Sequence, residues 1–283
     1  MLAEKAHYPI RRMCDVLAVS PSGYYAWRGR PLVTPQVRAD RGLRARIRAI
    51  HAESGGRYGS PRIHAVLQQA GQHVSRKRVI RLMQREQVRG RSPRRFRLTT
   101  QTDPLAAPAP NHLAQAFTVE TLNTVWAADI TALATQEGWL YLAVLLDLCS
   151  RRIVGWAVDH RLETTLVVEA WHRALATRGT APRLHHSDRG SQYTSGVFQT
   201  ELQRHGVQCS MSRRGNCWDN APVESFFRTF KTEVADRPVW RTRRDAAHAA
   251  AVYIDGFYNR QRLHSALGYR SPAAFESARR AAA

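Results

Sequence analysis

The chain has 283 residues, 43% of them hydrophobic, which is enough for one large core and a smaller second unit. A net charge of +21, from 43 Lys and Arg against 22 Asp and Glu residues, indicates a polyanionic partner, and nucleic acid fits better than a membrane surface. The longest apolar run, 139–146, is too short to span a bilayer, and the first residues lack the pattern of a secretory signal, so we expect an intracellular protein.

Four cysteines are scattered along the chain, at Cys14, Cys149, Cys209 and Cys217. None of them belongs to a CxxC pair, so the pattern indicates neither a disulfide framework nor a zinc site. We expect all four to pack as small apolar side chains.

The chain begins with a predicted pair of short helices. Apolar spacing predicts a helix from Ile10, and Ser20 and Pro21 are suited to cap and open a second helix. Such a pair either reads a major groove of DNA or serves as a packing unit, and the local basic charge favours DNA.

Three more helices are predicted, at 41–51, from about Pro61 to Gly71, and from Ser75. The last of these has an apolar face and a face crowded with Arg and Lys, and its charge continues through the run 89–97. A charged face is usually a solvated one, but this density favours contact with phosphates.

A composition change between 88 and 120 divides the chain. Prolines and a lack of periodic apolar positions predict a linker there. We therefore expect a helix-turn-helix DNA-binding region at 1–87, the linker at 88–120, a core at 121–240, and a C-terminal helical and basic segment at 241–283 that completes the core.

The region after the linker alternates between strands and helices. Three β-branched and aromatic stretches separated by short turns predict a strand meander, and two helices then alternate with two short strands. The predicted strands are 123–134, 139–148, 151–160, 183–188 and 207–212, and the predicted helices are 164–177 and 197–205. This order predicts an α/β mixed sheet flanked by helices.

Three carboxylates stand out. Asp129 interrupts an apolar strand, where a charge is costly unless it faces a site or a partner. Asp188 ends a short strand, a position at which aspartate more often forms a turn or a cap. Glu224 follows Asn220 and Pro222 in the first turn of a predicted helix, where it either serves chemistry or only complements the positive helix end.

Brought together, these carboxylates would raise one another's pKa unless cations lay between them. Oxygen-only ligands suit Mg²⁺, with Mn²⁺ as a substitute, and two such ions suit phosphodiester chemistry. We therefore predict that Asp129, Asp188 and Glu224 hold two metal ions. Lys231, two helical turns after Glu224, either contacts a DNA phosphate beside the metals or is an ordinary surface lysine.

Four motifs carry a family resemblance. They closely resemble motifs of the second-frame transposases of the IS three family of insertion sequences, and the spacing of Asp188 and Glu224 also matches retroviral integrase catalytic cores. The motifs are WAADIT at 126–131, HSDRGSQYTS at 186–195, NCWDNAPVESFFRTFK at 216–231 and YNRQRLHSALGYRSP at 258–272.

The resemblance implies a ribonuclease-H-like five-stranded mixed sheet flanked by helices and preceded by an all-helical region. It places Asp129 on the first strand, Asp188 after the fourth and Glu224 on a following helix. It also implies the reaction: a metal-activated water cleaves the element end, and the released 3′ hydroxyl attacks a second phosphodiester directly, without a covalent enzyme intermediate.

The implied partners are double-stranded DNA, as terminal inverted repeats and as target, and further copies of the chain in a homo-oligomer on DNA. An upstream-frame product, separate or fused, is a further implied partner, and no membrane is involved. The implied location is the bacterial cytoplasm, in association with the nucleoid.

Several polar residues accompany the three carboxylates. His186, Arg189 and Gln192 flank Asp188 and either orient it, contact DNA or form ordinary hydrogen bonds. Trp218 either stacks on a base or packs in the core, and packing is favoured.

The last motif is basic and either steers DNA or forms a capped, solvated loop. Its candidate DNA contacts are Tyr258, Asn259, Arg262 and His264. A non-catalytic DNA-binding protein is the main alternative function, and its signature would be the loss of one of the three carboxylates. A simple nuclease that cuts without joining is a second alternative.

Overall fold

A computed structural model describes residues 3–29, 35–91, 109–213, 216–234 and 239–282. The chain forms two compact units, Met1–Gly90 and Arg91–Ala283. Most of the predicted linker, at 92–108, lies outside the described residues, together with most of the basic run that follows the last N-terminal helix. None of the described helices combines the length and the apolar character needed to cross a membrane.

The first unit is helical throughout, and every helix predicted in this region is present. Its helices are α1 (Ile10–Val16), α2 (Pro21–Arg28), α3 (Pro35–Glu53), α4 (Ser60–Gln69) and α5 (Arg76–Arg85), after a 3₁₀ turn at Ala3–Ala6. Helix α3 starts six residues earlier than predicted, at a proline, which is well tolerated in the first turn of a helix.

Two small clusters of apolar side chains lie inside this unit. Ile10, Cys14 and Tyr24 pack α1 against α2, and the Ser20 side chain accepts a hydrogen bond of 3.0 Å from the Gly23 amide at the start of α2. Helices α3, α4 and α5 share a second cluster, whose most deeply buried members are Ile47, Ile63, Leu67, Val79 and Leu82. The Ser20 cap was predicted from the sequence, and so was the buried face of α5.

Ion pairs connect α3 to α5. Asp40 is bound by Arg78 at 2.7 Å and by Arg81 at 3.0 Å, and Glu86, directly after α5, is bound by Arg44 and Arg48. Part of the basic charge of α5 therefore neutralises acidic groups of its own unit.

The second unit is built on a five-stranded mixed sheet in the order β3-β2-β1-β4-β5. Strands β1, β2 and β3 form an antiparallel meander, and β4 and β5 run parallel to β1. The strands are β1 (Val125–Thr135), β2 (Gly138–Asp147), β3 (Ile153–Asp159), β4 (Leu184–Ser187) and β5 (Gln208–Met211). This arrangement confirms the predicted ribonuclease-H-like α/β class.

Helices flank this sheet. They are α6 (Thr164–Arg178), α7 (Ser191–Thr194), α8 (Gly196–Arg204), α9 (Ala221–Val234), α10 (Arg243–Ala251) and α11 (Pro272–Ala281), with a π-helical segment at Val252–Tyr258. Helix α6 packs closely on β3 because Gly155 has no side chain: a Cβ there would lie 2.3 Å from the Ala170 carbonyl oxygen. Trp126 and Trp171 lie at the centre of this packing, with ring centroids 5.7 Å apart.

The cysteines follow the expectation where their side chains are described. Cys14 and Cys149 are buried and Cys209 is partly buried. The side chain of Cys217 lies outside the described part of the structure.

Candidate active site

Asp129 lies inside β1, opposite Val144 of β2. Its carboxylate accepts a hydrogen bond of 2.8 Å from the Ile130 amide, which lowers its pKa, but the opposing effects are larger. Burial and then the negative charge of Asp188 raise the pKa of Asp129 well above its ordinary value. The charge of Lys231 also lowers the pKa of Asp129, but it does not offset burial and Asp188.

Asp188 directly follows β4, the strand that pairs in parallel with β1. The last pair in this register is Ala127 with His186, and Asp129 and Asp188 each come two residues later. Asp188 accepts a hydrogen bond of 3.0 Å from the Gly190 amide, while burial raises the pKa of its carboxyl group. Two neighbouring strands thus bring both aspartates to one place on the sheet.

Glu224 lies in the first turn of α9. Burial raises the pKa of Glu224, Arg228 one turn later opposes this, and the charge of Asp188 adds to the increase. Asn220, just before the helix, donates a hydrogen bond of 3.0 Å to the carbonyl oxygen of Ala128, the residue next to Asp129. This bond connects the start of α9 to β1 and keeps Glu224 within the electrostatic reach of both aspartates.

The helix that carries Glu224 is held by an aromatic face. Val223, Phe226, Phe227 and Phe230 are buried, as their spacing predicted. Lys231, near the end of α9, is partly buried, and burial lowers its pKa while the charge of Asp129 raises it. The structure therefore brings Lys231 towards the carboxylates.

The donor groups at this place are carboxylate oxygens, which suit Mg²⁺ or Mn²⁺. Burial raises the pKa of both aspartates, and the charge of Asp188 raises that of Asp129 further, so a divalent cation between them would stabilise the ionised carboxylates. Among the described residues, which include Asp129, Asp188 and Glu224, no group of three or more His, Cys, Asp or Glu side chains is placed closely enough to hold one metal ion. The arrangement is therefore an adjacent aspartate pair with Glu224 in electrostatic reach.

The turn before α9 depends on Asp219, which the sequence interpretation did not single out. This buried carboxylate accepts hydrogen bonds from the Arg213 side chain and amide and from the side chains of Asn111 and Gln115, at 2.8–3.0 Å. The bond from Arg213 is the main reason why the pKa of Asp219 lies well below its ordinary value. The sequence signal that could have identified Asp219 is its position inside the third motif, 216–231.

The residues that flank Asp188 have protein partners. His186 is buried, its ring nitrogens face the hydroxyls of Ser210 and Ser212 at 2.9 and 3.3 Å, and burial lowers its pKa to about 4. The histidine is thus neutral and connects β4 to β5. Arg189 donates from Nε to the Ser212 carbonyl oxygen at 2.7 Å.

Gln192 and Trp218 differ in their surroundings. Gln192 donates a hydrogen bond of 3.0 Å to the Leu162 carbonyl oxygen. Trp218 is 71% exposed, so the favoured expectation that it packs in the core is wrong. The Trp218 amide donates a hydrogen bond of 3.1 Å to Oδ1 of Asn216, which caps the turn that contains Trp218. The indole of Trp218 remains in solvent.

The C-terminal candidates lie mainly inside the protein. Tyr258, Asn259 and Arg262 are buried, so the alternative of a solvated loop is wrong for them. Asn259 exchanges two hydrogen bonds of 3.0 Å with the backbone of Ile153, and Arg262 pairs with Glu233 at 2.9 Å.

The ring of Tyr258 contacts two other aromatic rings. Tyr258 packs edge-on against Phe226 at 4.8 Å and against His264 at 4.9 Å. Direct contact of these residues with DNA stays a prediction, and the contacts of Tyr258 with Phe226 and of Arg262 with Glu233 favour a role of these two in holding α9 in place.

Tyr193 is a further residue that the sequence interpretation missed. It lies in α7, within the second motif, and only 2% of it is exposed. Burial, followed by the charges of Asp129 and Asp188, raises the pKa of its hydroxyl well above the ordinary value. A Cβ on Gly190 would lie 3.1 Å from Asp188 Oδ1 and 3.7 Å from Tyr193 Cδ2, so the Tyr193 ring lies close to Asp188.

Comparison with known families covers parts of both units. The family described as HTH-like domain matches residues 38–96, and two families described as Integrase core domain match residues 120–217 and 205–272. The HTH-like match includes helices α3 to α5 and begins after α2.

Curated relatives match over most of the chain. An uncharacterized 31 kDa protein of insertion element IS600 from Shigella sonnei is 42% identical, over 93% of this chain and 97% of its own length. The transposase for insertion sequence element IS904 of Lactococcus lactis is 39% identical, over 83% and 93%. The transposase InsF for insertion sequence IS3A of Escherichia coli is 37% identical, over 96% of both chains.

Among solved structures, a chain of the simian T-cell lymphotropic virus intasome is similar with a TM-score of 0.47 and 16% identity, over 80% of this chain and 72% of that chain. The catalytic core domain of BIV integrase gives a TM-score of 0.42 and 19% identity, over 57% and 99%. The identity to curated transposases over nearly the full length decides the family. The chain belongs to the IS3-type insertion-sequence transposases, polynucleotidyl transferases with an integrase core domain.

Proposed function

We propose that this chain cleaves the ends of an insertion sequence and joins them to target DNA by metal-dependent transesterification. The carboxylates of Asp129, Asp188 and Glu224 hold the metal ions. The observation that carries this proposal is the placement of Asp129 on β1 and of Asp188 directly after the neighbouring strand β4, where burial raises the pKa of both carboxyl groups and Glu224 adds a third negative charge.

Two Mg²⁺ ions, or Mn²⁺ in their place, would be held by these three residues. When bound, divalent cations supply charge neutralisation at the attacking and leaving oxygens of a phosphodiester. Because water and then a 3′ hydroxyl are the attacking groups, the protein itself needs no nucleophilic side chain.

The chain's own residues position the carboxylates and the DNA. The amides of Ile130 and Gly190 fix one oxygen each of Asp129 and Asp188. Asn220 fixes the helix that carries Glu224. Lys231 contacts a phosphate beside the metal ions, a role that its partly buried position near Asp129 supports.

Trp218 contributes to DNA binding by stacking on a base. The indole is exposed, while the turn beneath it is fixed by the hydrogen bonds of Asn216 and Asp219. An exposed aromatic ring on a rigid turn suits base stacking, which tolerates many sequences. Arg189 and Gln192 also contribute to DNA binding. Their side chains are oriented by hydrogen bonds to the carbonyl oxygens of Ser212 and Leu162.

Each of the four predicted regions of the chain has its own role in this function. Residues 1–87 bind the terminal repeats, 88–120 link, 121–240 catalyse and 241–283 complete the core. The HTH-like match and the net charge of +21 support DNA binding by the first region. The chain acts at the bacterial nucleoid as a homo-oligomer, because two element ends must be held together. An upstream-frame product is its further partner.

The test is cleavage and strand joining of labelled DNA that carries the element ends, with Mg²⁺ or Mn²⁺, by the native chain and by Glu224→Gln. Glu169→Gln is the matched control, because it makes the same change on an exposed helical position. We expect joined products from the native and control proteins and none from Glu224→Gln, which should still bind DNA.

Two results would contradict the proposal. Equal joining by Glu224→Gln would remove Glu224 from the metal site. DNA binding without chemistry in every protein, including after addition of the upstream-frame product, would favour the non-catalytic alternative.

A further inference from the structure

Tyr193 presents a buried hydroxyl without a hydrogen-bond partner. Its ring is fixed by His185, with centroids 5.8 Å apart, and by Phe198 at 5.6 Å. Its hydroxyl is shielded from water, and no group in the described part of the chain pairs with it. Nearly all buried polar groups in proteins form hydrogen bonds, so an unpaired one requires an explanation.

Packing alone does not explain the hydroxyl. The ring lies in an aromatic cluster that a phenylalanine would fill equally well, without burying an unpaired donor. The presence of tyrosine therefore indicates a partner that forms only in another state of the protein.

The aspartate pair is the candidate partner, because Asp188 and the Tyr193 ring both lie against Gly190: a Cβ there would be 3.1 Å from Asp188 Oδ1 and 3.7 Å from Tyr193 Cδ2. The charges of Asp129 and Asp188 both act on the Tyr193 hydroxyl, and that of Asp129 is the stronger of the two. Each aspartate accepts one backbone hydrogen bond, from Ile130 and from Gly190, and a carboxylate can accept several. An ionised aspartate carboxylate can only accept a hydrogen bond, so in a hydrogen bond between the two groups the tyrosine hydroxyl is the donor.

We propose that Tyr193 is a positioning residue of the metal site, whose hydroxyl donates a hydrogen bond to the Asp129 carboxylate when that carboxylate holds a divalent cation. This inference rests on the proposed function. A carboxylate that binds a metal ion is commonly held in turn by a hydrogen bond from a neighbouring group, and that bond fixes its orientation. Because its side chain is buried, Tyr193 acts through Asp129 and does not contact DNA.

Tyr193→Phe is the direct test, because it removes the hydroxyl and keeps the ring. Tyr24→Phe is the matched control: Tyr24 is also buried, its hydroxyl also lacks a partner among the residues described, and it lies in the first unit. Mn²⁺ binding to the full chain is measured by electron paramagnetic resonance of the unbound ion. Thermal unfolding without metal is measured in parallel.

We expect Tyr193→Phe to bind Mn²⁺ more weakly by on the order of 10–100-fold, the usual effect of losing a group that orients a metal ligand. Its unfolding temperature without metal should equal or exceed that of the native chain, because an unpaired buried hydroxyl has been removed. Tyr24→Phe should bind Mn²⁺ as the native chain does.

Equal Mn²⁺ affinity of Tyr193→Phe and the native chain would overturn the inference and leave the proposed function intact. It would indicate that the hydroxyl is satisfied elsewhere, for example by a buried water shared with the ring nitrogens of His185, which also lack partners in the described ranges. If Asp188→Asn also bound Mn²⁺ as the native chain does, the aspartate pair would hold no metal, and the proposed function would fall with the inference.

Discussion

Two pairs of carboxylates in the described part of the second unit differ in their partners. Asp147 and Glu276 are fully buried, and Arg178 binds both, at 3.1 and 2.6 Å, while Arg152 binds Glu276 at 2.7 Å. Burial would raise the pKa of Glu276, but the hydrogen bonds from Arg178, Ser150 and Arg152 outweigh it, and the pKa is lowered.

At the candidate site burial prevails, because the amide hydrogen bonds and the charge of Lys231 lower the pKa of the aspartates less than burial raises it. Asp129 and Asp188 lie beside each other, and the pKa of each is raised. The comparison separates carboxylates that stabilise the fold from carboxylates that are prepared to bind a cation. Asp147 and Glu276 are buried and bound by arginine, whereas Asp129 and Asp188 are partly buried and no arginine pair with either is found among the described residues.

The largest effect on stability is expected from Glu276→Gln. It leaves Arg178 with one carboxylate instead of two in a buried place, and we expect the free energy of unfolding to fall by about 3–5 kcal/mol. Urea denaturation measures this change. Glu169→Gln, which breaks the exposed pair with Arg173, should change it by less than about 1 kcal/mol.

The pH dependence sharpens the same comparison. The folded-state pKa of Glu276 is below its ordinary value of 4.5, so its contribution to stability is fully present above that value and is lost as the pH falls through the folded-state pKa. The difference in stability between native chain and Glu276→Gln should therefore be constant near neutral pH and shrink in acid. A difference that grew in acid would contradict this assignment.

The next effect concerns the position of Glu224. Asn220→Ala removes the bond to the Ala128 carbonyl, and we expect strand joining to fall by about 10²-fold, because small displacements of catalytic groups are costly. Asn259→Ala also removes a side-chain bond to a strand backbone, at Ile153.

The two asparagine variants should differ in their rate of strand joining when the folded proteins are compared. Asn259→Ala should lose stability by about 1–3 kcal/mol but join DNA at the native rate. If it instead lost DNA binding, the sequence-based assignment of Asn259 to DNA would be supported.

The smallest effect is expected at Trp218. Replacement by alanine should weaken binding of the element ends by about 1–3 kcal/mol, with unchanged thermal stability because the ring is exposed. Trp139, which is also exposed but lies at the β1–β2 turn, provides the control, and Trp139→Ala should bind the ends normally. Fluorescence anisotropy with labelled ends measures both variants.

The sheet and the element positions of the three carboxylates were accessible to sequence reasoning for physical reasons. Alternating and continuous apolar runs determine the strands, and the apolar spacing after Pro222 determines α9. A charge such as Asp129 inside an apolar strand is rare enough to attract notice.

What sequence reasoning missed depends on contacts between distant residues. Arg262 looked like a DNA-binding side chain because its partner, Glu233, lies 29 residues earlier in the sequence, on α9. Tyr193 was not singled out, since its unpaired hydroxyl appears only when the partners among the described residues are counted. Trp218 was expected to pack, and its exposure follows from the turn that Asn216 and Asp219 fix.

Strand joining by Asp188→Asn, measured together with its thermal unfolding, tests the central claim most directly. The account predicts no joined product in Mg²⁺ or Mn²⁺ and an unfolding temperature, without metal, equal to or above that of the native chain, because a charge that repels Asp129 has been removed. Joining at the native rate, or a loss of stability like that of Glu276→Gln, would show that Asp188 is a structural carboxylate and would contradict the account.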